Sequence, residues 1–269
     1  MNKLVFITGA SSGIGQALAL RFFQAGYRLA LVARRADAMT QWASQAAIPE
    51  HAYQVYAADV SVSNSLVLAA QDCMAKQGLP DVVIANAGIS IGMDTAIRED
   101  IEVMAQVFST NNIGMAATFH PFITPLLLRY QTQGVGARLV GIASVAGVRG
   151  LPGHGAYCAS KAAVISYCES LRGELRQSSH GAVKVVTLCP GYVDTPLTRQ
   201  NHYAMPFLMS PERFAERAYS AIERGTSYVV IPWQMGVLAK LLRALPNAMF
   251  DRLLAGRPRK NRQVTNQAP

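Results

Sequence analysis

Short apolar, β-branched runs alternate with helix-patterned stretches along nearly the whole chain, and this alternation restricts its architecture more than any other feature. LVFIT (4–8), RLALVA (28–33), AYQVYAA (52–58), DVVIA (81–85), ARLVGIA (137–143), AVKVVTL (182–188) and SYVVI (227–231) read as strands. Helical spacing between them predicts helices from IGQALALRFFQAG to Gly26, over 37–46, 63–77 and 101–130, and from Gly155 onward. A further helix starts at Ser210-Pro211-Glu212, with Ser as N-cap and Pro in the first turn. Strands that are apolar on both faces, separated by helices, imply an α/β fold with a parallel sheet covered on both sides. The 269 residues show no repeat or linker-like block before the last stretch, and 51% hydrophobic residues supply one large core.

The turn after the first strand, TGASSGIG, carries Gly9, Gly13 and Gly15 in a G-x3-G-x-G spacing, with Ser11, Ser12 and Ile14 between them. Glycine there permits unusual backbone angles and close approach, and the following helix N-terminus offers free N–H groups to a pyrophosphate. The second strand runs into Arg34 and Arg35, where an acidic residue would meet the ribose hydroxyls of a cofactor lacking a 2′-phosphate. Two guanidiniums suit a 2′-phosphate, so NADP(H) is expected over NAD(H). Asp59 and Val60 follow the third strand and Asn86-Ala87-Gly88 ends the fourth, at the edge where ligands collect in such sheets. Asp59 reads equally as a helix cap, and Asn86 as a turn former.

Tyr157 and Lys161 lie four residues apart, with Ser144 upstream. On a helix the two project from one face, so a Lys161 ammonium beside the Tyr157 phenol would lower its pKa and make it a proton donor near neutral pH.

These motifs, together with an Asn before Ile-Gly at 111 and PGYVDT at 190–195, resemble the short-chain dehydrogenase/reductase family over about residues 3–232. The resemblance implies a single Rossmann-type, doubly wound α/β domain (1–232) that binds the dinucleotide and carries the catalytic residues. It implies Tyr157 as general acid or base, Lys161 on the nicotinamide ribose, Ser144 on the substrate oxygen, and Asn111, rather than Asn112, holding a water. Pro190, Gly191, Val193 and Thr195 would meet the nicotinamide end. Family members pair through the long helices, here those with Asn111 and Tyr157, so a homodimer or homotetramer is expected. The family's usual NNAG reads Ala85-Asn86-Ala87-Gly88, and its paired serines read Ala143-Ser144. His154, Tyr167 and Tyr192 stand near these motifs; His154 reads as a structural loop histidine. The implied reaction is reversible reduction of a carbonyl by NADPH, the alternative being a non-catalytic dinucleotide sensor or scaffold on the same fold. Substrate choice falls to residues 195–210 and those after Ile231; their Met, Leu, Phe and Tyr favour an apolar small molecule or lipid.

Cys73, Cys158, Cys168 and Cys189 lack CxxC spacing, so buried free thiols are expected, with neither a metal site nor a disulfide framework. The first strand begins almost at the first residue, giving the expectation of a cytoplasmic protein. From Lys240 onward seven basic residues face Asp251 alone, six of the nine excess positive charges. Residues 233–256 read as an amphipathic helical extension: Val237, Leu238, Leu241, Leu242 and Leu245 form one apolar stripe, and Met249, Phe250, Leu253 and Leu254 a second beyond Pro246. Residues 257–269 read as a basic, flexible tail. The extension either packs on the body or makes peripheral contact with an anionic membrane; no readable helix or aromatic platform suggests specific nucleic-acid binding.

Overall fold

Every residue of LVFIT and of VVIA is buried, which requires a strand covered on both faces as well as flanked on both edges. The computed structural model, which describes residues 3–199, 201, 204–256, 260 and 262, places these two strands side by side at the centre of a sheet. Among the described residues that sheet has seven strands: β1 (Leu4–Thr8), β2 (Arg28–Ala33), β3 (Tyr53–Ala57), β4 (Val82–Ala85), β5 (Ala137–Ile142), β6 (Val183–Pro190) and β7 (Tyr228–Ile231). Their order is β3-β2-β1-β4-β5-β6-β7, and all neighbours are parallel. This is the doubly wound α/β arrangement expected from the alternation.

Side chains of successive strand residues point to opposite faces, and β1 divides accordingly. Val5 and Ile7 enter one core with Leu18, Phe22, Met39 and Phe214, from helices α1 (Gly13–Gln24), α2 (Ala36–Gln45) and α7 (Pro211–Arg224). Leu4 and Phe6 enter the other with Leu66, Phe119, Phe122 and Leu171, from α3 (Ser63–Lys76), α5 (Gly114–Gln133) and α6 (Gly155–Ser178). Each such buried Leu, Ile or Phe contributes about 1.5–3 kcal/mol over its exposed state. The strand order reverses between β1 and β4, so the turns after these strands diverge and leave a crevice at their carboxyl ends.

The stretch expected as one helix over 101–130 is divided. α4 (Asp100–Phe108) passes into a single π-helical turn at Ser109–Ile113 before α5 begins. The wider turn carries Asn111, whose side chain hydrogen-bonds inward rather than following the surface of a regular helix.

After β7 come α8 (Trp233–Ala244) and α9 (Asn247–Leu254). Met235, Ala239, Phe250 and Leu254 turn inward, and Arg149 fixes the pair to the body by donating to the Leu245 carbonyl at 2.7 Å and Asn247 Oδ1 at 2.8 Å. Its guanidinium also stacks 3.8 Å from the Phe250 ring centroid. Of the basic tail, Arg257, Arg259 and residues 263–269 lie outside the described residues. Lys260 and Arg262 are anchored: Lys260 Nζ donates to Ser90 Oγ at 2.9 Å, and Arg262 forks onto the Asp100 carboxylate at 2.7 and 2.8 Å. Among the described residues no helix is long and apolar enough to cross a membrane, and no His/Cys/Asp/Glu group could hold a metal ion. All four cysteines are buried and unpaired.

Candidate active site

The glycines of the first turn are required by contact as well as by backbone angle. Gly9 has φ +66°, and a Cβ there would lie 2.6 Å from Ala87 Cα; one on Gly15 would overlap the Gly9 carbonyl oxygen and sit 2.7 Å from Asn86 Nδ2. Asn86 holds this arrangement by donating to the Thr8 and Gly9 carbonyls, both at 3.0 Å, so it acts as a clamp between the turns after β1 and β4. Gly13, at φ +54°, touches the turn after β6, since its Cβ would meet Thr195 Cγ2 at 2.9 Å. Ser12 makes no side-chain capping bond at the start of α1, leaving that helix N-terminus available to an anion.

These turns floor a cleft of about 760 Å³. Gly9, Ser11, Ser12, Gly13, Ile14, Arg34, Asp59, Val60, Asn86, Ala87, Gly88, Ser144, Tyr157, Lys161, Pro190, Gly191, Val193 and Thr195 all line it. Three expected residues do not. Gly15 lies beneath the floor, Asn111 is buried behind the wall, and Arg35 is exposed at the residue before α2. Of the two guanidiniums, then, the structure brings only Arg34 to the cleft. Asp59 accepts from Ser61 N at 2.9 Å and Ser61 Oγ at 2.7 Å; these bonds, helped by Arg34, hold its carboxyl below the usual range. It forms a turn with Ser61 and is not the N-cap residue of α3.

At the other end of the cleft α6 presents Tyr157 and Lys161, and the turn after β5 presents Ser144. That turn is pressed onto α6, because a Cβ on Gly147 would lie 2.6 Å from the Lys161 carbonyl carbon. Ser144 Oγ accepts from Ala146 N at 3.1 Å, and its hydroxyl stands close enough to the Tyr157 phenol to favour the phenolate. Lys161 Nζ donates to the Ile142 carbonyl at 2.8 Å and lies 5.8 Å from the Tyr157 ring centroid. Asn111 accepts from Ile89 N at 2.8 Å and donates to Ser160 Oγ at 2.9 Å, fastening the turn after β4 to α6. Gly88 fits between the two groups: its Cβ would stand 3.3 Å from Asn111 Oδ1 and 3.4 Å from Lys161 Nζ. Asn112 instead binds the Ser160 carbonyl.

The electrostatics differ from the sequence expectation in one respect. Enclosure of the half-buried Tyr157 pushes its phenol up to about 12, and the Ser144 hydroxyl pulls it partly back; Lys161 does not draw it below the ordinary value. The reason is the position of the ammonium, which is turned onto the Ile142 carbonyl. Burial also lowers Lys161 to about 8, since no described carboxylate neutralises it.

The cleft also contains residues that sequence reasoning did not single out. Ile89, Ser90 and Ile91 line the cleft, and Ile91 packs with Val107, Ala156 and Met93. His154 is buried beside them, its pKa lowered by burial with Lys260 adding to the effect. Asp100, which accepts from Asp94 N at 2.6 Å, organises this segment and receives Arg262. No sequence spacing could have indicated that contact, because 162 residues separate its partners.

A family model described as short chain dehydrogenase matches residues 3–205. The chain belongs to the short-chain dehydrogenase/reductase family. An uncharacterized oxidoreductase of Myxococcus xanthus is 34% identical over 249 residues, covering 93% of this chain and 95% of that protein. An 11-beta-hydroxysteroid dehydrogenase-like protein 4A of Arabidopsis thaliana is 32% identical, covering 97% and 85%. Among solved structures, a short-chain dehydrogenase/reductase from Burkholderia phymatum in complex with NAD aligns with a TM-score of 0.79 at 25% identity, over 89% of this chain and 92% of that one. Membership makes this short-chain dehydrogenase/reductase an oxidoreductase whose chemistry lies between carbonyl and alcohol.

Proposed function

We propose that the chain catalyses the reversible, NADPH-dependent reduction of a carbonyl group on an apolar small molecule or lipid. The observation that carries this reading is the meeting of Ser144, Tyr157 and Lys161 at one end of a cleft whose other end is a glycine-built anion cradle. The cradle fits a dinucleotide: Cβ atoms are excluded where a diphosphate would approach, and the first turn of α1 is uncapped by side chains. Ser11, Ser12, Gly13 and Ile14 would hold the diphosphate, Arg34 the 2′-phosphate, and Lys161 the ribose next to the nicotinamide. Pro190, Gly191, Val193 and Thr195 would border the nicotinamide end. When bound, this cofactor supplies the hydride.

The chain's own groups handle the proton. Tyr157, raised to about 12, is protonated throughout the neutral range and is the donor to the carbonyl oxygen; Ser144, beside it, steadies that oxygen as negative charge develops. Asn111 acts one layer back, holding the turn after β4 against α6 so that Gly88 and Lys161 keep their places. Preference for an apolar substrate is supported by Ile89, Ile91 and Leu197 around the cleft, by Met235 against Gly191, and by the relative named for a hydroxysteroid dehydrogenase. The exposed Ile101, Met104, Ile113, Leu128 and Tyr167 on α4 to α6 support self-association through these helices. Four free thiols agree with a cytoplasmic setting. The test is NADPH consumption with a panel of ketones and aldehydes of graded polarity. Turnover that rises with substrate hydrophobicity is expected, and NADPH binding without turnover on any member overturns the reading in favour of a dinucleotide sensor.

A further inference from the structure

The outer face of the C-terminal helices is apolar and exposed among the described residues. On α8, Trp233 (67% exposed), Val237 and Leu241 (62% exposed) follow one another four residues apart and so form a single stripe. Met235 and Ala239, on the opposite side of the same helix, are buried. α9 repeats the pattern, with Met249 and Leu253 outward and Phe250 and Leu254 inward. Arg149 grips both helices and Arg243 donates to the Val148 carbonyl at 3.3 Å, so the stripe is held in place and cannot be relieved by rotating it inward. Lys240, Arg243 and Arg252 are exposed on the same two helices, with Asp251 as their one acidic residue. The inner side of α8 begins beside the active site: Met235 Cγ is 2.7 Å from where a Cβ on Gly191 would be, and Gly191 lines the cleft.

We propose that this face lies flat on an anionic lipid bilayer, bringing the cleft to the surface from which an apolar carbonyl compound is drawn; the proposal rests on the function given above for its substrate and not for the docking itself. Helices of 12 and 8 residues are far too short to span a bilayer, but two short helices side by side suit insertion at headgroup level, with Trp233 as an interfacial anchor. The charge argues for lipid over a second copy of the chain. A two-fold pairing of this face would bring Lys240 and Arg252 near their own copies with only Asp251 to offset them, whereas an anionic surface neutralises both.

The experiment is co-sedimentation of the full chain with phosphatidylcholine vesicles, with and without phosphatidylserine, at low and high salt. Binding to the phosphatidylserine vesicles at low salt, weakening by about tenfold or more at high salt, is expected. Reversal of two charges in Lys240→Glu/Arg252→Glu should reduce it by about 25-fold or more, and Trp233→Ser/Leu241→Ser by about tenfold. NADPH turnover of a water-soluble carbonyl should be unchanged in both variants. Failure of the folded wild type to bind at low salt overturns the proposal, as does binding that both variants retain. Loss of a dimer in Trp233→Ser/Leu241→Ser, seen by light scattering without vesicle binding by the wild type, would overturn it by naming a second copy as the occupant. Vesicle binding by a Tyr157→Phe protein is expected to be intact, so docking and catalysis fail separately.

Discussion

The two sides of the cleft are built from different materials. On the cofactor side the walls are largely backbone: Gly9 and Gly15 bring main chain within the space of one missing Cβ, Gly13 admits the Thr195 side chain in the same way, and Asn86 locks the turns together through carbonyl oxygens. On the proposed substrate side the walls are side chains, among them Ile89, Ile91 and Leu197, with Met93, Met235 and a tail docked by Arg262 behind them. A backbone wall has one solution, because its dimensions are fixed by covalent geometry. A wall of Met, Leu and Ile has many, since such side chains repack at little cost. One side can therefore keep a constant ligand while the other changes with the substrate.

The sharpest way to break this comparison is to add one carbon to each side. Gly9→Ala combines a left-handed φ of +66° with a Cβ 2.6 Å from Ala87 Cα, and neither is relieved by moving a side chain. It should cost about 3 kcal/mol or more of stability, from strain and overpacking together, and abolish measurable NADPH binding. Gly155→Ala, at the start of α6 below the substrate side, would meet only Met93 Sδ at 3.6 Å, an ordinary contact. Its stability should stay within about 0.5 kcal/mol of wild type. Urea unfolding midpoints and NADPH titration check both, and comparable losses in the two variants would mean that the two sides are equally rigid.

Tyr157→Phe leaves the packing of α6 unchanged and removes the proton donor, so turnover should fall about 10²- to 10⁴-fold with NADPH affinity preserved. The pH profile adds a signature. With the phenol raised to about 12, the protonated form needed for reduction is present at all neutral and mildly alkaline pH, while the phenolate needed for alcohol oxidation is scarce. Reduction should thus be flat with respect to this group from pH 6 to 9, whereas oxidation should climb as pH rises toward the phenol's value. An oxidation rate levelling off near neutrality would show that Lys161 lowers the phenol in the working complex.

What could be read from the sequence follows the same division. The strands were legible to within about two residues because burial on both faces leaves runs such as LVFIT and VVIA without polar interruption. Much of the cleft was legible because glycine has few reasons to recur in a strand-to-helix turn and Tyr-x-x-x-Lys fixes one helix face. The π turn at Ser109–Ile113 was not, since a one-residue widening leaves the helical pattern almost intact. Neither were the anchoring of Lys260 on Ser90 and of Arg262 on Asp100, which depend on tertiary proximity and read in sequence as an ordinary solvated basic tail. Arg34 and Arg35 were indistinguishable by position; only the start of α2 after Arg35 separates the one that lines the cleft.

That separation makes a smaller prediction. Arg34→Ala should weaken NADPH by about ten- to hundredfold, the value of a charge-assisted phosphate contact, and leave NADH unchanged. Arg35→Ala, lying outside the cleft, should change neither by more than about twofold. Calorimetric titration with both nucleotides decides the matter; equal affinity of the unaltered protein for NADPH and NADH would remove the assignment of Arg34 to a 2′-phosphate.

The smallest effect should come from the tail, where the substrate wall is most adaptable. Asp100 is almost fully buried, and Arg262 forks onto it while Gly92 pairs with Arg262 in a single parallel bridge. The segment so held includes Ser90 and Ile91, which line the cleft, and no residue of the diphosphate cradle. Arg262→Gln should therefore raise KM for the carbonyl substrate by about two- to fivefold, the scale of one partly exposed ion pair, with kcat and NADPH affinity unchanged. The Asp94 N–H still satisfies one carboxylate oxygen in that variant, so folding should survive. Asp100→Asn, which keeps the shape but removes the charge, should reproduce the KM change. A tail that shifts kcat or NADPH affinity instead would place it on the cofactor side and dissolve the distinction between the two walls.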